Sequence, residues 1–422
     1  MSTTQEFGRV NSAASRSDIR ARQLDRLNQL LARILPHNRF YADKLAEVRA
    51  PLASLDDLAK LPFTFKEELQ ATSHGLHNDN RTHPIEKYVR YHQTSGTRGR
   101  PLLVLDSLDD WKWFCECWQA VYDAAQVTSA DRLVFAFSFG PFIGFWAAHD
   151  AAVDRGCMVA PSGGMSSLAR LDLMRTAQAT VVLCTPSYAL HLVDVAQKHH
   201  IRLDDLSVEK IIVAGEPGGS IDSVRAKIER AWGAKVYDHA GATEIGAWGF
   251  PDAGRTGLHV NEAEFIPEFL SIERGGAAQP GELAELVLTN LGRVGFPVVR
   301  YRTGDLVRPL WPESGGCPYV LLRGGVLGRA DDMMIIRGVN IYPTAVEQIL
   351  RSFPEVHEFR MTAAKFSEMD ELTIEIEDQL HQPARVAEEL RLRLGLRVEV
   401  RCVPLGSLPR FEGKGARFID HR

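Results

Sequence analysis

Leu24, Leu27, Leu30, Leu31 and Ile34 recur at the three-and-four spacing of one helical face, so the pattern predicts an amphipathic helix over roughly 19–35 that stops before Pro36. Proline-punctuated turns follow over 51–61. Ser107 has the side chain of an N-cap and opens a second helix, with Trp111, Phe114, Cys115, Trp118 and Val121 on its apolar face. Short apolar runs at 133–137, 181–184, 211–213 and 236–237 then alternate with helical patterns over 168–178, 187–198 and 220–232. Strands that are apolar on both faces and separated by helices predict βαβ units and a parallel sheet covered on both sides. Further strands are read at 286–288 and 298–301, the second running into Arg302-Thr303-Gly304-Asp305. The pattern loosens into Gly, Arg and Asp over 324–332. Beyond it come a strand (333–336), a helix after Pro343, strands (355–362 and 372–376), a helix (383–393) and a strand (398–403). That βαββαβ order predicts a small ferredoxin-like α+β unit. The expected architecture is α/β: a large domain, 1–327, with parallel sheets flanked by helices, and a small one, 328–422.

Ligands of such sheets collect beyond the carboxyl ends of the strands. Three ends carry informative residues: Phe137 to Trp146, with Phe137, Phe139, Gly140, Phe142 and Phe145; Ala214-Gly215-Glu216-Pro217; and Asp238-His239-Ala240-Gly241-Ala242-Thr243-Glu244. One site can draw on all three. The aromatic rings divide between core packing and a flat apolar slot for a planar acid. Upstream, Thr94-Ser95-Gly96-Thr97-Arg98-Gly99-Arg100-Pro101 has the composition of a phosphate-holding loop. Its glycines let the backbone come close to a ligand, and its hydroxyls and guanidinium groups offer donors to an anion. It is not a Walker loop, because Gly96 and Gly99 are too close and Arg100-Pro101 stands where Lys-Ser/Thr would be. Pro101 makes the following segment a strand rather than a helix.

The 422 residues are 45% hydrophobic and 24% charged, with a formal net charge of -5, which argues against nucleic acid as the main partner. Cys115, Cys117, Cys157, Cys184, Cys317 and Cys402 are scattered, several in apolar runs, and read as free thiols. The N-terminal stretch has no signal-like apolar core and no run is long enough to span a bilayer, so a cytoplasmic location is expected.

Taken in order, Thr94 to Pro101, Ala214 to Pro217, Gly241 to Glu244, Tyr301 to Asp305, Gly328 to Gly338 and Pro409-Arg410-Phe411-Glu412-Gly413-Lys414 resemble the adenylate-forming superfamily of acyl- and aryl-CoA ligases. The hinge segment, 328–343, and the tail, 409–414, are most similar to the phenylacetate-CoA ligase group. That resemblance implies a two-step reaction: a carboxylate attacks the α-phosphate of ATP and expels pyrophosphate, and coenzyme A then displaces AMP. It implies roles as well. The loop Thr94 to Arg100 would hold the β- and γ-phosphates, and Glu244 would ligate Mg2+. Gly215, Glu216, Pro217, Asp238, His239 and Thr243 would surround the nucleotide, Asp305 would accept from the ribose hydroxyls, and Arg329 would contact ribose or phosphate. Phe137, Phe139, Gly140, Phe142, Ala240 and Gly241 would line the acyl slot. Lys414, on a mobile C-terminal domain turning at Asp331, would bridge the attacking carboxylate and the α-phosphate. The chain departs from the family at Ala240, where a tyrosine commonly stacks on adenine, and at Arg100, where lysine is usual. His259 and Cys317 lack a convincing set of partners for the zinc site that some relatives carry. The expected substrate is an aryl or arylacetic acid, in an enzyme that relatives suggest is a homodimer. Transfer to a carrier-protein thiol or an amine stays open, as does a non-catalytic nucleotide-binding role.

Overall fold

The computed structural model describes residues 15–94, 101–312, 316–330, 334–336, 339–366, 369–394, 398–409 and 417–421. The first helix, α1 (Arg16–Ile34), begins three residues earlier than its apolar stripe requires. Ser15 caps it, its side chain accepting from Asp18 N while Asp18 accepts in return. The turns over 51–61 include a short 3-10 helix, Leu55–Lys60, which starts at a similar Ser54 cap. An antiparallel hairpin follows, β1 (Tyr88–Gln93) and β2 (Leu103–Ser107), and Ser107 caps α2 (Leu108–Ala124) as expected.

Next come β3 (Arg132–Phe135), α3 (Trp146–Asp154), β4 (Met158–Pro161), α4 (Ser167–Thr176), β5 (Val181–Cys184), α5 (Pro186–Lys198), β6 (Lys210–Val213), α6 (Asp222–Trp232) and β7 (Lys235–Asp238). Their strands form one five-stranded sheet in the order β4-β3-β5-β6-β7, every neighbouring pair parallel. This is the doubly covered sheet that the apolar runs predicted. Two parts of it differ from the sequence reading. β4 lies at the sheet edge with both ends exposed and is a strand the pattern missed, although Met158-Val159-Ala160-Pro161 is apolar throughout; Pro161, which cannot donate to a ladder, is tolerated at an edge. Trp146 belongs to α3 rather than to a loop, and Ala147, Ala148, Ala151 and Ala152 give that helix its buried face.

Two antiparallel sheets complete the large part: β8 (Ala240–Ala242), β9 (Gly246–Pro251) and β10 (Gly257–Val260) in one, β11 (Phe265–Ser271), β12 (Ala284–Asn290) and β13 (Tyr301–Val307) in the other. The strand expected over 298–301 does not form there. Val298 N–H donates to Asn290 Oδ1, Val299 N–H to Tyr41 Oη and Arg300 N–H to Thr289 Oγ1, so side chains take the place of a ladder. Arg300 also has φ +49, and the strand starts only at Tyr301, so that Arg302 to Asp305 lie inside it. Β-pairing of Asp305 with Arg329 then adds β14 (Gly328–Arg329) to the sheet edge.

The last stretch has its own apolar core, from Met334 to Leu390, separate from the two cores of the large part. Its first strand, β15 (Met334–Ile336), pairs locally with β16 (Val339–Ile341), not with the sheet. The sheet contains β17 (Val356–Phe366) and β18 (Met369–Asp378) as a central antiparallel pair, with β19 (Glu399–Cys402) beside β18; α7 (Pro343–Arg351) and α8 (Pro383–Leu394) are its helices. A strand that the pattern missed, β20 (Phe418–Asp420), runs parallel to β17 at the other edge. Arg417 fixes it: the guanidinium is buried and donates to both carboxylate oxygens of Glu358, at 2.6 and 2.9 Å. Among the described residues no helix is long and apolar enough to cross a membrane.

Candidate active site

Thr94 closes the base of the β1–β2 connection. Its N–H donates to Leu102 O and its Oγ1 accepts from Leu102 N–H, each at 3.0 Å. Ser95, Gly96, Thr97, Arg98, Gly99 and Arg100 lie outside the described residues. Gln93 N–H donates to Pro141 O at 2.7 Å and ties this hairpin to the aromatic loop after β3.

A buried brace leads from the hairpin to Glu244. Asp106, in β2, accepts from Arg293 Nε at 2.7 Å, and both side chains are fully buried. Arg293 Nη1 donates to Thr243 O at 2.8 Å, which fixes the peptide preceding Glu244. Glu244 is 7% exposed; its Oε1 accepts from Tyr301 Oη at 2.8 Å, and among the described residues no cation pairs with it. Sequence reasoning missed Asp106, Arg293 and the Tyr301 hydroxyl. A carboxylate directly after Leu102-Leu103-Val104-Leu105 was the available signal, since a charge in a wholly apolar strand needs a partner.

Asp305 is aimed by a bulge. Glu285 faces Leu306 while Val287 faces Arg302, and Gly304 absorbs the extra residues at φ +75, a conformation in which an L side chain is strained. Arg329 Nη1 lies 3.4 Å from Asp305 Oδ1. Tyr301 and Asp305 therefore bring Glu244 and Arg329 to one strand.

Gly215, at φ +94, turns the chain after β6. Glu216 Oε1 accepts from Ser187 N–H at 2.7 Å in the first turn of α5, where the helix dipole favours an anion; Pro217 beside it is half-buried. Asp238 closes β7, with Oδ2 accepting from Ser220 N–H at 3.0 Å and Ser220 Oγ at 2.6 Å. Burial raises the Asp238 carboxyl to about 6, against the pull of these hydrogen bonds. That carboxylate holds the chain around Ser220 rather than standing open to a ligand. His239 is buried against Trp118, ring centroids 4.1 Å apart, and its Nδ1 lies 2.7 Å from Gly249 O. Burial lowers the imidazole to about 4. Ala240 is opposite Gly249 in β8–β9 pairing, and Gly241 is exposed.

The aromatic group divides by burial. Phe145 is core, whereas Phe137, Phe139 and Phe142 are half-buried. The rings meet edge to face: Phe137 with Phe142 at 5.2 Å, with Phe145 at 5.3 Å and with Phe139 at 5.7 Å. Trp146 Nε1 donates to Gly140 O at 3.0 Å. Gly144, at φ +40, lets the loop close over Phe137, whose ring would lie 1.8 Å from a Cβ there.

Asp331 and Lys414 lie outside the described residues. Arg417 is the nearest described residue after Lys414. Burial opposes its charge, but Glu358, then Glu347 and Glu216, raise it above the ordinary guanidinium range. His259 is turned to Tyr319 O, and all six cysteines are free thiols.

Residues 338–422 match the AMP-binding enzyme C-terminal domain. The whole chain is similar to the phenylacetate-coenzyme A ligase of Thermus thermophilus, 32% identical over 441 residues that cover 96% of this chain and 97% of that one. The chain belongs to the phenylacetate-coenzyme A ligase family. A crystal structure of a 2-hydroxyisobutyryl-CoA ligase in the postadenylation state, in complex with R3-HIB-AMP, is similar to this ligase at a TM-score of 0.90 and 26% identity, covering 97% of this chain and 91% of that one. The same relative in its thioesterification state, with 2-HIB-AMP and CoA, gives a TM-score of 0.74 at 26% identity, covering 100% and 93%.

Proposed function

We propose that the acid this ligase activates is an aryl or arylacetic acid, held among Phe137, Phe139 and Phe142. The enzyme is an AMP-forming acid–coenzyme A ligase: it makes an acyl-adenylate from ATP and passes the acyl group to coenzyme A. The observation that carries the aryl reading is the half-buried, edge-to-face ring group at the carboxyl end of β3, hydrogen-bonded through Pro141 to the base of the phosphate-loop hairpin.

Attack of a carboxylate on a triphosphate brings two anions together, so positive charge and alignment are what the site must supply. In this reading the loop Thr94 to Arg100 holds the terminal phosphates, Asp305 the ribose and Arg329 ribose or phosphate. Gly215 to Pro217, with Asp238 behind, form the wall against adenine, and Thr243 carries the turn into Glu244. Glu244 suits a hard cation, because a nearly buried carboxylate with no cationic neighbour among the described residues is otherwise costly. Mg2+ bound there would neutralise phosphate charge. Among the described residues no group of three or more His, Cys, Asp or Glu is arranged to hold a metal, so phosphate oxygens would complete the shell.

The division at 327/328, the hinge at Asp331 and the role of Lys414 belong to the same proposal. One observation supports them: the higher similarity to a postadenylation arrangement than to a thioesterification one. Carboxylic acids assayed for pyrophosphate release, with the thioester product identified by mass, test the reading. Arylacetic acids should head the panel with coenzyme A as acceptor. Turnover confined to aliphatic acids, or seen only with a carrier protein, would refute it.

A further inference from the structure

We propose that His239 determines specificity, its Nε2 accepting a hydrogen bond from a hydroxyl or amino group carried by the acid. The proposal rests on the acyl slot described above. It starts from the unequal ring nitrogens. Gly249 O can only accept, so the proton sits on Nδ1, 2.7 Å away, and Nε2 keeps its lone pair. Among the described residues nothing donates to Nε2. Burial keeps the ring neutral at pH 7, so the nitrogen stays an acceptor.

Gly241 gives that nitrogen its opening. Residues 239 and 241 point to the same side of the extended chain. A Cβ on 241 would stand 3.2 Å from His239 Nε2 and 2.9 Å from Gly246 O, but glycine leaves the space empty. The surroundings are apolar. Behind the imidazole lie core rings: Trp118, 4.1 Å from His239, packs on buried Phe145 (6.1 Å), which packs on half-buried Phe137 (5.3 Å), so His239 is the polar edge of this aromatic core. A planar acid held against Phe137 and extending into the opening at Gly241 would bring its far end to Nε2. An acceptor left without a donor in such a place is costly, so the slot discriminates against acids that cannot donate.

The test compares phenylacetate with its three monohydroxy isomers, reading kcat/KM for pyrophosphate release in the full-length enzyme. Wild type should prefer one hydroxy isomer by about tenfold or more, and His239→Ile should lower that ratio by about tenfold. His239→Gln, which retains an acceptor, should keep part of the preference. The 15N resonance of Nε2 gives a readout that needs no variant: it should shift upfield when the hydroxylated acid binds and stay in place with phenylacetate. A wild type without preference, a ratio unchanged in His239→Ile, or an unmoved resonance would each overturn the proposal. If only aliphatic acids react, the aryl slot fails by itself. The same ratio, measured between a 2-hydroxy acid and its deoxy analogue, then decides the role of His239.

Discussion

Glu244, nearly buried beside a phenol, keeps its size and its Tyr301 contact in Glu244→Gln but loses the charge a hard cation needs. That variant should lose about a hundredfold or more in pyrophosphate release and need more Mg2+ for half-maximal rate; an unchanged Mg2+ dependence would remove Glu244 from the metal. Arg293→Met leaves buried Asp106 with only the His92 imidazole beside it, 3.7 Å away, which should cost about 3–5 kcal/mol of stability in urea unfolding. His239 gives a pH-dependent term. Its folded value, about 4, lies below the 6.5 of a free imidazole, so the unfolded chain takes up the proton first and stability falls as pH drops from 6.5 towards 4. Asp238 acts in the opposite sense, its raised carboxyl easing the fold over part of that range. Because Asp238 is common to both proteins, unfolding of wild type and His239→Ile at pH 7 and pH 4 isolates the histidine. The variant should gain up to about 3 kcal/mol relative to wild type on acidification; no relative gain would mean that the imidazole titrates normally.

At the scale of elements, the sequence was legible where one face or both faces of a segment are apolar. The runs at 181–184 and 211–213 became central parallel strands because their neighbours bury both sides. Ser107 could be read as a cap because its hydroxyl accepts locally from Asp110 N–H. Long-range pairing was not legible. Val298 and Val299 look like strand residues, yet their N–H groups go to Asn290 and Tyr41. β20 is held by an ion pair whose two members are distant in sequence, Arg417 and Glu358. In the site, local motifs marked Glu244 and Asp305, but not the brace through Asp106 and Arg293, which exists only in three dimensions. The bulge at Gly304 is the element most exposed to a single change. Gly304→Val forces φ +75 on a β-branched residue and should flatten the turn that aims Asp305, raising the KM for ATP about tenfold; an unaltered KM would show that Asp305 does not hold the nucleotide.

For the molecule as a whole, the proposed adenylation step needs two bodies of chain to meet around one nucleotide. The C-terminal stretch has its own core, and β14 pairs with β13 at Asp305. The two states of the 2-hydroxyisobutyryl-CoA ligase match this chain to different degrees, as they would if the small domain moved between half-reactions. An ammonium on that domain can serve the first step and be absent from the second. The most direct measurement follows both half-reactions in Lys414→Ala, with acid-dependent pyrophosphate exchange for the first and thioester formation from pre-made acyl-adenylate for the second. Exchange should collapse by about a hundredfold or more while thioester formation proceeds near the wild-type rate. Equal loss of both, or loss of neither, would contradict the account.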